Sequence, residues 1–183
     1  MVDGRPFPPA SFVFRSSLVS LIRRHRTEVA LAVTALSFSF AAAPAFAGIE
    51  EAVKAMQAKD MATAEKELQL LVKERDPRAQ FLLGFYVYGN PESKLFDLTK
   101  AAPLLLDAAE RGYTPAIIPL AGAYAEGKGV PKSMFDAYKW IVIAELWNVP
   151  NAGQLLDQIA GDLKPDEIEK AKAEAAKFTF KTK

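Results

Sequence analysis

Apolar residues recur at intervals of three and four through most of the chain beyond residue 48. Examples are Leu68, Leu71 and Val72 in one segment, and Leu104, Leu105 and Ala108 in another. No segment alternates with a period of two for long enough to predict a strand. The pattern therefore predicts an all-α fold. Its helices are expected at 49–58, 61–75, 77–88, 98–111, 115–126, 133–147, 152–161 and 165–178.

Helix start signals support several of these boundaries. Asp60 is a plausible N-cap, because its carboxylate can accept a hydrogen bond from a free backbone N–H of the first turn. Asp76-Pro77 and Thr114-Pro115 each place proline at a first helical position, where its missing N–H has no cost. Pro165 does the same for the last segment, which has acidic residues in its first turn and lysines later, as the helix dipole favours.

Part of the chain is repeated. The segment Ala79–Leu83 returns 37 residues later as Ala116–Leu120, whereas Lys100-Ala101 and Asp136-Ala137 lie 36 residues apart. The first copy therefore has one more residue than the second between its two halves. A repeat of this length, built from two apolar-periodic runs and a turn, is typical of a helical solenoid.

The second copy resembles the Sel-one-like repeat, a relative of the tetratricopeptide repeat. The matching residues are Leu120-Ala121, Tyr124, Glu126-Gly127-Lys128-Gly129-Val130, Ala137, Trp140 and Ala144. The first copy matches at Ala79-Gln80-Phe81, Leu83-Gly84, Lys100-Ala101 and Ala108-Ala109-Glu110-Arg111-Gly112, but it has Gly89-Asn90-Pro91 at the turn and Leu104 in place of tryptophan. The resemblance implies an α-α superhelix, a solenoid of stacked antiparallel helix pairs, and a protein-interaction module.

The solenoid is expected to span 48–183. A degenerate unit covers 49–75, the two repeats cover 79–112 and 116–148, and a C-terminal capping helix lies within 152–178. Leu83 and Leu120 should be buried at equivalent positions. Gly84 and Ala121 should lie where helices approach closely, and Trp140 should be a buried apolar plug.

Residues 1–47 read as a secretory signal peptide. Arg23, Arg24 and Arg26 precede an apolar run from Val29 to Ala43, and Ala45-Phe46-Ala47 provides small residues at a cleavage site. The expected mature protein begins at Gly48 and is periplasmic or secreted, with no membrane span after cleavage. Three alternatives stay open, namely an uncleaved membrane anchor, a mitochondrial transit peptide and a twin-arginine leader. The true translation start also stays open, because the basic region is long.

The remainder of the chain has few groups suited to catalysis. It has no cysteine, and the one histidine, His25, lies in the leader. Ser-His and Cys-His nucleophilic sites and ordinary zinc sites are therefore excluded there, and we expect neither a cofactor nor a metal. With 18 basic and 20 acidic residues, 48–183 also lacks a nucleic-acid footprint. We expect a non-enzymatic protein; the alternative is an envelope enzyme using carboxylates, such as a glycan hydrolase.

The partner is expected to be a protein or peptide of unknown identity. In the family that the sequence resembles, the first helices of the pairs line the concave face. The resemblance places Arg78, Phe81, Phe85 and Tyr88 on that face as candidate partner-binding residues. Phe81 corresponds to Ile118 and is expected to pack between units. Phe85 corresponds to Gly122, so the repeat itself requires no large side chain there.

Overall fold

The computed structural model describes residues 44–181, with side chains from residue 48, and the regular secondary structure in this part of the chain is helical. Eight α-helices follow one another, and these residues form no strand. They are α1 (Pro44–Gln57), α2 (Met61–Lys73), α3 (Pro77–Leu82), α4 (Leu98–Glu110), α5 (Ile117–Glu126), α6 (Met134–Leu146), α7 (Ala152–Ile159) and α8 (Pro165–Ala175). The leader expected over 1–47 lies outside the described residues, apart from the backbone of 44–47, and stays a prediction.

The helix starts follow the capping residues. The Asp60 carboxylate accepts a hydrogen bond from the Thr63 N–H at 3.1 Å at the start of α2. Asp76 caps α3, in which Pro77 is the first residue, and Pro165 begins α8. Each cap satisfies backbone donors that have no partner inside the helix. The predicted starts of these three helices are confirmed.

Other boundaries differ from the prediction. The helix expected over 77–88 is α-helical only to Leu82 and continues as a π-helical segment, Leu83–Tyr88. A 3₁₀ turn, Thr114–Ala116, precedes α5 where a continuous helix from 115 was expected. Such turns are frequent at helix N-termini. The first helix begins at Pro44 instead of 49, and α8 ends at Ala175, three residues short of the predicted end.

From α1 to α7, helices that are adjacent in sequence pack against each other, whereas α8 packs on α6. The buried residues form two clusters. The N-terminal cluster comprises Ala52, Ala55, Ala64, Leu68, Leu71, Ala79, Leu83, Val87, Tyr88 and Ala101. The C-terminal cluster extends from Phe81 to Ala175 and includes Leu120 and six residues of α6, among them Trp140. The predicted burial of Leu83 and Leu120 is confirmed, one in each cluster.

Small residues lie where backbones meet. A Cβ at Gly84 would lie 3.0 Å from the Ala101 carbonyl oxygen and 3.1 Å from the Leu104 Cβ. Gly127 ends α5 in the left-handed conformation, with φ of 74°. The close approach at Gly84 lets α3 and its π-helical extension pack directly on α4. This packing fixes the position of the surface described next.

Candidate functional site

The π-helical segment Leu83–Tyr88 contains the additional residue of the first repeat. The backbone N–H of Asp97 donates to the Tyr88 carbonyl at 2.8 Å, and that of Ser133 donates to the Tyr124 carbonyl at 2.9 Å. Asp97 and Ser133 are the N-caps of α4 and α6. Tyr88 and Tyr124 are thus equivalent and 36 residues apart. Since Leu83 and Leu120 are 37 apart, the inserted residue lies between Leu83 and Tyr88.

The insertion coincides with an exposed pair of aromatic side chains. Phe85 is 40% exposed and Tyr86 is 46% exposed. The corresponding part of α5 contains Ala121 and Gly122, and a Cβ at Gly122 would meet nothing within 4 Å. One residue inserted into a helix forms a π-bulge, a feature found frequently at functional sites. The second repeat packs with small residues at the corresponding positions. Packing within the repeat therefore does not explain why the first repeat has two large aromatic side chains here.

The rings are held in a defined arrangement. The ring of Phe85 stacks on that of Phe81, with centroids 5.4 Å apart and planes 9° apart. The Tyr86 ring meets the Phe85 ring edge to face with centroids 5.0 Å apart, and the Tyr113 ring is tilted against the Phe81 ring with centroids 5.2 Å apart. Aromatic pairs favour these geometries. Buried Phe81 thus supports the exposed ring of Phe85, and we call these four residues the aromatic cluster.

The four candidate residues do not share one open surface. Phe85 alone is exposed, whereas Phe81 and Tyr88 are buried and Arg78 is half-buried. Arg78 binds the Asp76 carboxylate through its Nη2 at 2.6 Å. Tyr86 and Tyr113, which complete the aromatic cluster, were not predicted from the sequence. The shift in repeat spacing from 37 to 36 indicated an additional residue between the two halves of the first repeat, but it did not locate that residue in this segment.

The hydroxyl group of Tyr88 forms hydrogen bonds with side chains of α2, a helix that contributes to the N-terminal cluster. That hydroxyl donates a hydrogen bond to the Glu65 carboxylate and accepts one from the Gln69 amide at 3.4 Å. Burial raises the pKa of Tyr88, and the hydrogen bond to Glu65 raises it further. The Lys100 ammonium lies 5.3 Å from the centre of the Tyr88 ring. Tyr88 therefore connects α2 to the π-helical segment, and its ring is not free to contact a partner in this arrangement.

Two grooves border the aromatic pair. The first has a volume of about 270 Å³, has Phe85 in its wall and is otherwise lined by small and apolar residues. These are Gly84, Gly89, Leu98, Ala101, Ala102, Leu105, Pro119, Gly122 and Ala123, with Glu126 and Lys128 at the edge. The second, of about 750 Å³, has Tyr86 in its wall together with Met56, Met61, Ala62 and Leu95, and the polar residues Lys59, Asp60, Asn90, Glu92 and Lys94. Each exposed ring therefore forms part of the wall of a groove, and the groove beside Tyr86 combines apolar with polar residues.

Three of the chain's carboxylates, those of Glu65, Glu167 and Glu169, have structural partners. Glu65 accepts the Tyr88 hydroxyl, Glu167 accepts the backbone N–H of Lys164 at 2.9 Å, and Glu169 binds Lys172 at 3.1 Å. Among residues 48–181 no three potential ligand side chains are grouped to hold a metal ion. No helix in that range is long and apolar enough to cross a membrane.

Comparison with known proteins finds similarity at the level of the structure. No family model matches the sequence, and no curated protein matches it. The fold is similar to the crystal structure of a protective antigen that is present in uropathogenic Escherichia coli strains and displays an SLR (Sel-one-like repeat) fold. The TM-score is 0.66 at 20% sequence identity. The match covers 74% of this chain but only 30% of the antigen chain.

The chain therefore adopts the helical-repeat fold of Sel-one-like repeat proteins, as the resemblance in its sequence implied. The all-α class is likewise confirmed. At this level of identity the match concerns the fold. The surface chemistry of residues 77–128 supports an inference about function.

Proposed function

We propose that this protein is an exported, non-enzymatic interaction module that binds a segment of another protein at the surface around Phe85 and Tyr86. The observation that supports this most strongly is the exposed aromatic pair on the π-helical segment. Large apolar side chains are normally withdrawn from water, and exposing two adjacent rings forgoes the stabilisation that burial would give. Such a pair is typical of the anchor residues that dominate protein interfaces.

The shape of the surface favours a segment with apolar side chains spaced along it. The groove beside Phe85 has mostly small residues in its walls, so a bulky apolar side chain of the partner can enter between α4 and α5. The groove beside Tyr86 adds two methionines, whose flexible side chains adapt to different shapes. A helical or extended segment that carries one apolar anchor for each groove would fit.

Gly122 supports this assignment. It lies inside α5, where glycine is about 0.8–1 kcal/mol less favourable than alanine. No neighbour requires the absence of a side chain, because a Cβ there would meet nothing within 4 Å. The glycine instead leaves the groove beside Phe85 open, which is useful to a protein that has to admit a partner.

A capture experiment with three variants tests the proposal. The mature chain from Gly48, immobilised and exposed to an envelope extract of its own organism, is expected to retain a specific protein detected by mass spectrometry. Phe85→Ala with Tyr86→Ala should abolish this recovery at an unchanged melting temperature. Gly122→Leu should abolish it as well, by filling the groove from one wall while improving helix propensity.

Leu70→Ala is the matched control, because Leu70 is also exposed, at 53%, but lies on α2 and lines neither groove. Recovery should survive this change. If the aromatic variants retain the same protein as the wild type, the surface is not the binding site. If the aromatic variants lose the captured protein only together with a large fall in their own melting temperature, the two rings are core residues and the proposal fails.

Export is the second part of the proposal, and it depends on residues 1–47. We propose that cleavage after Ala47 yields a periplasmic or secreted protein that begins at Gly48. N-terminal sequencing of protein from the envelope fraction should return Gly48-Ile49-Glu50. An intact leader in a membrane fraction would favour the anchor instead, and a cytosolic location would contradict export altogether.

A further inference from the structure

The chain's last described residues, Phe178–Lys181, leave α8 and lie across the surface formed by α4 and α6. The ring of Phe178 meets Trp140 edge to face at 5.2 Å. The centroid of the Phe180 ring lies 4.3 Å from that of the Trp147 ring and 5.3 Å from that of the Phe178 ring. Thr179 between them is exposed. The segment therefore presents alternate aromatic side chains to the domain, as a bound extended peptide does.

Its far end is held by polar contacts at the end of α4. The backbone N–H of Lys181 donates to the Glu110 carbonyl at 2.7 Å, and its ammonium contacts the Glu110 carboxylate. The last carbonyl oxygens of a helix accept no hydrogen bond from within the helix, and a positive charge is favourable at this end of the helix. The C-terminal segment thus supplies a hydrogen-bond donor and a positive charge at the C-terminal end of α4, where both are favourable.

The phenyl ring packs over Gly112. The Phe180 ring carbons lie 3.4–3.6 Å from the position that a Cβ would occupy, which is ordinary van der Waals contact. The φ of Gly112 is +85°, a backbone conformation that strains an L side chain. On the other side, Trp147 is 51% exposed and the adjacent Leu146 is 56% exposed. The C-terminal segment therefore covers this apolar surface only in part.

We propose that Glu110, Gly112 and Trp147 form a second binding site, distinct from the grooves beside Phe85 and Tyr86. Its ligands are extended segments that have two aromatic residues separated by one residue and followed by lysine or arginine. The chain's own C-terminal segment occupies the site and is displaced when such a ligand binds. Displacement requires only local opening, because the described part of the segment makes one backbone hydrogen bond to α4.

The tether makes the proposal measurable. A segment attached by a short linker competes at an effective concentration of about 1 mM. The probe is a labelled peptide with the sequence of residues 177–183, Lys-Phe-Thr-Phe-Lys-Thr-Lys. Its binding to the otherwise complete mature chain is followed by fluorescence anisotropy. Phe180→Ala should remove the anchor of the internal competitor and make the peptide bind at least about tenfold more tightly than it binds the wild type.

Four controls establish that the peptide binds at this site and through its aromatic residues. Thr179→Ala, which changes the exposed neighbour, should leave binding as weak as in the wild type. Adding Glu110→Gln to Phe180→Ala should weaken binding, and a peptide with both phenylalanines replaced by alanine should not bind. Adding Phe85→Ala should change nothing, which distinguishes this site from the proposed partner surface.

Equal affinity of the wild type and Phe180→Ala for the peptide, or no binding to either, would overturn the proposal. So would cooperative unfolding of Phe180→Ala at ordinary temperature, since this would show that the C-terminal segment is part of the core and cannot be displaced.

Discussion

Gly129 lies directly against the backbone of Leu98, and a Cβ at Gly129 would be 1.9 Å from the Leu98 carbonyl oxygen. The turn of the second repeat therefore rests on the first turn of α4 in the preceding repeat. Because φ at Gly129 is +75°, an L side chain is also strained there by the backbone itself.

Gly129→Ala should consequently separate the two repeats at this contact. We expect a loss of at least about 2 kcal/mol in the free energy of unfolding, from overpacking combined with backbone strain. Urea denaturation followed by circular dichroism measures it. Gly161→Ala is the control, because a Cβ there meets nothing within 4 Å. Similar effects of the two substitutions would contradict the predicted contact.

The π-helical segment predicts an unusual tolerance to deletion. Removing Tyr86 shortens the first repeat to the spacing of the second, so Leu83–Tyr88 can become regular α-helix with the Asp97–Tyr88 hydrogen bond retained. We expect the variant to fold, with a stability loss within about 3 kcal/mol, the usual range for single changes. Thermal unfolding by circular dichroism gives the measurement.

Deletion of Ala123 provides the comparison for that variant. In α5 there is no additional residue to remove, so the deletion rotates everything that follows by about 100° relative to Leu120. That protein should fail to fold cooperatively. Equal damage by both deletions would show that the π-helical segment is not an insertion into a regular repeat.

The two tryptophans should differ sharply in their contribution to stability. Trp140 is 5% exposed and packs against Phe178, whereas Trp147 is 51% exposed. Trp140→Ala is expected to cost about 3–5 kcal/mol through the cavity it leaves. Trp147→Ala should cost less than about 1 kcal/mol, as surface substitutions usually do. Chemical denaturation of both variants tests this difference. A larger loss of stability for Trp147→Ala than for Trp140→Ala would contradict the assignment of Trp140 to the core.

Asp97 makes part of the stability dependent on pH. Its carboxylate accepts hydrogen bonds from the hydroxyl and the N–H of Thr99, at 2.6 and 3.0 Å, and these bonds lower the pKa of Asp97. The stabilisation is complete above the unfolded-state pKa of about 3.9. It is lost as the pH falls through the lower folded-state pKa, because the folded protein then binds the proton that the unfolded chain already holds.

Asp97→Asn keeps an oxygen at the N-cap but removes the titration. The stability advantage of the wild type over this variant should therefore be present at pH 6 and shrink below about pH 4. Urea denaturation at a series of pH values measures this difference. Asp157→Asn, at an exposed position on α7, serves as the control. An advantage independent of pH would contradict the assigned hydrogen bonds.

Local signals in the sequence predicted much of the helical framework. Asp60, Asp76 and Pro165 act within one helical turn, so their effect does not depend on the remainder of the fold. The burial of Leu83, Leu120 and Trp140 followed from the repeat pattern for a similar reason. In a solenoid each unit packs mainly against its neighbours, so a repeated local pattern is enough to predict which of its residues are buried.

The candidate surface was harder to predict. The 37-to-36 shift showed that a residue had been inserted, but a turn accommodates an insertion as readily as a helix. Because the insertion lies inside the helix, each following side chain is rotated away from the face that α-helical periodicity assigns to it. Periodicity therefore grouped Phe85 with Tyr88, whereas the structure exposes Phe85 beside Tyr86 and buries Tyr88 against Glu65.

The division of the core into two clusters has a consequence for how the molecule opens. The first cluster depends on α1, α2 and the region around Leu83, whereas α8 reinforces α6 in the second cluster from outside the repeats. Stability in such arrays is distributed unit by unit. The amides of α2 should therefore exchange with solvent deuterium through partial openings that leave α6 protected. The protein would then loosen from its N-terminal end while its second repeat stays closed.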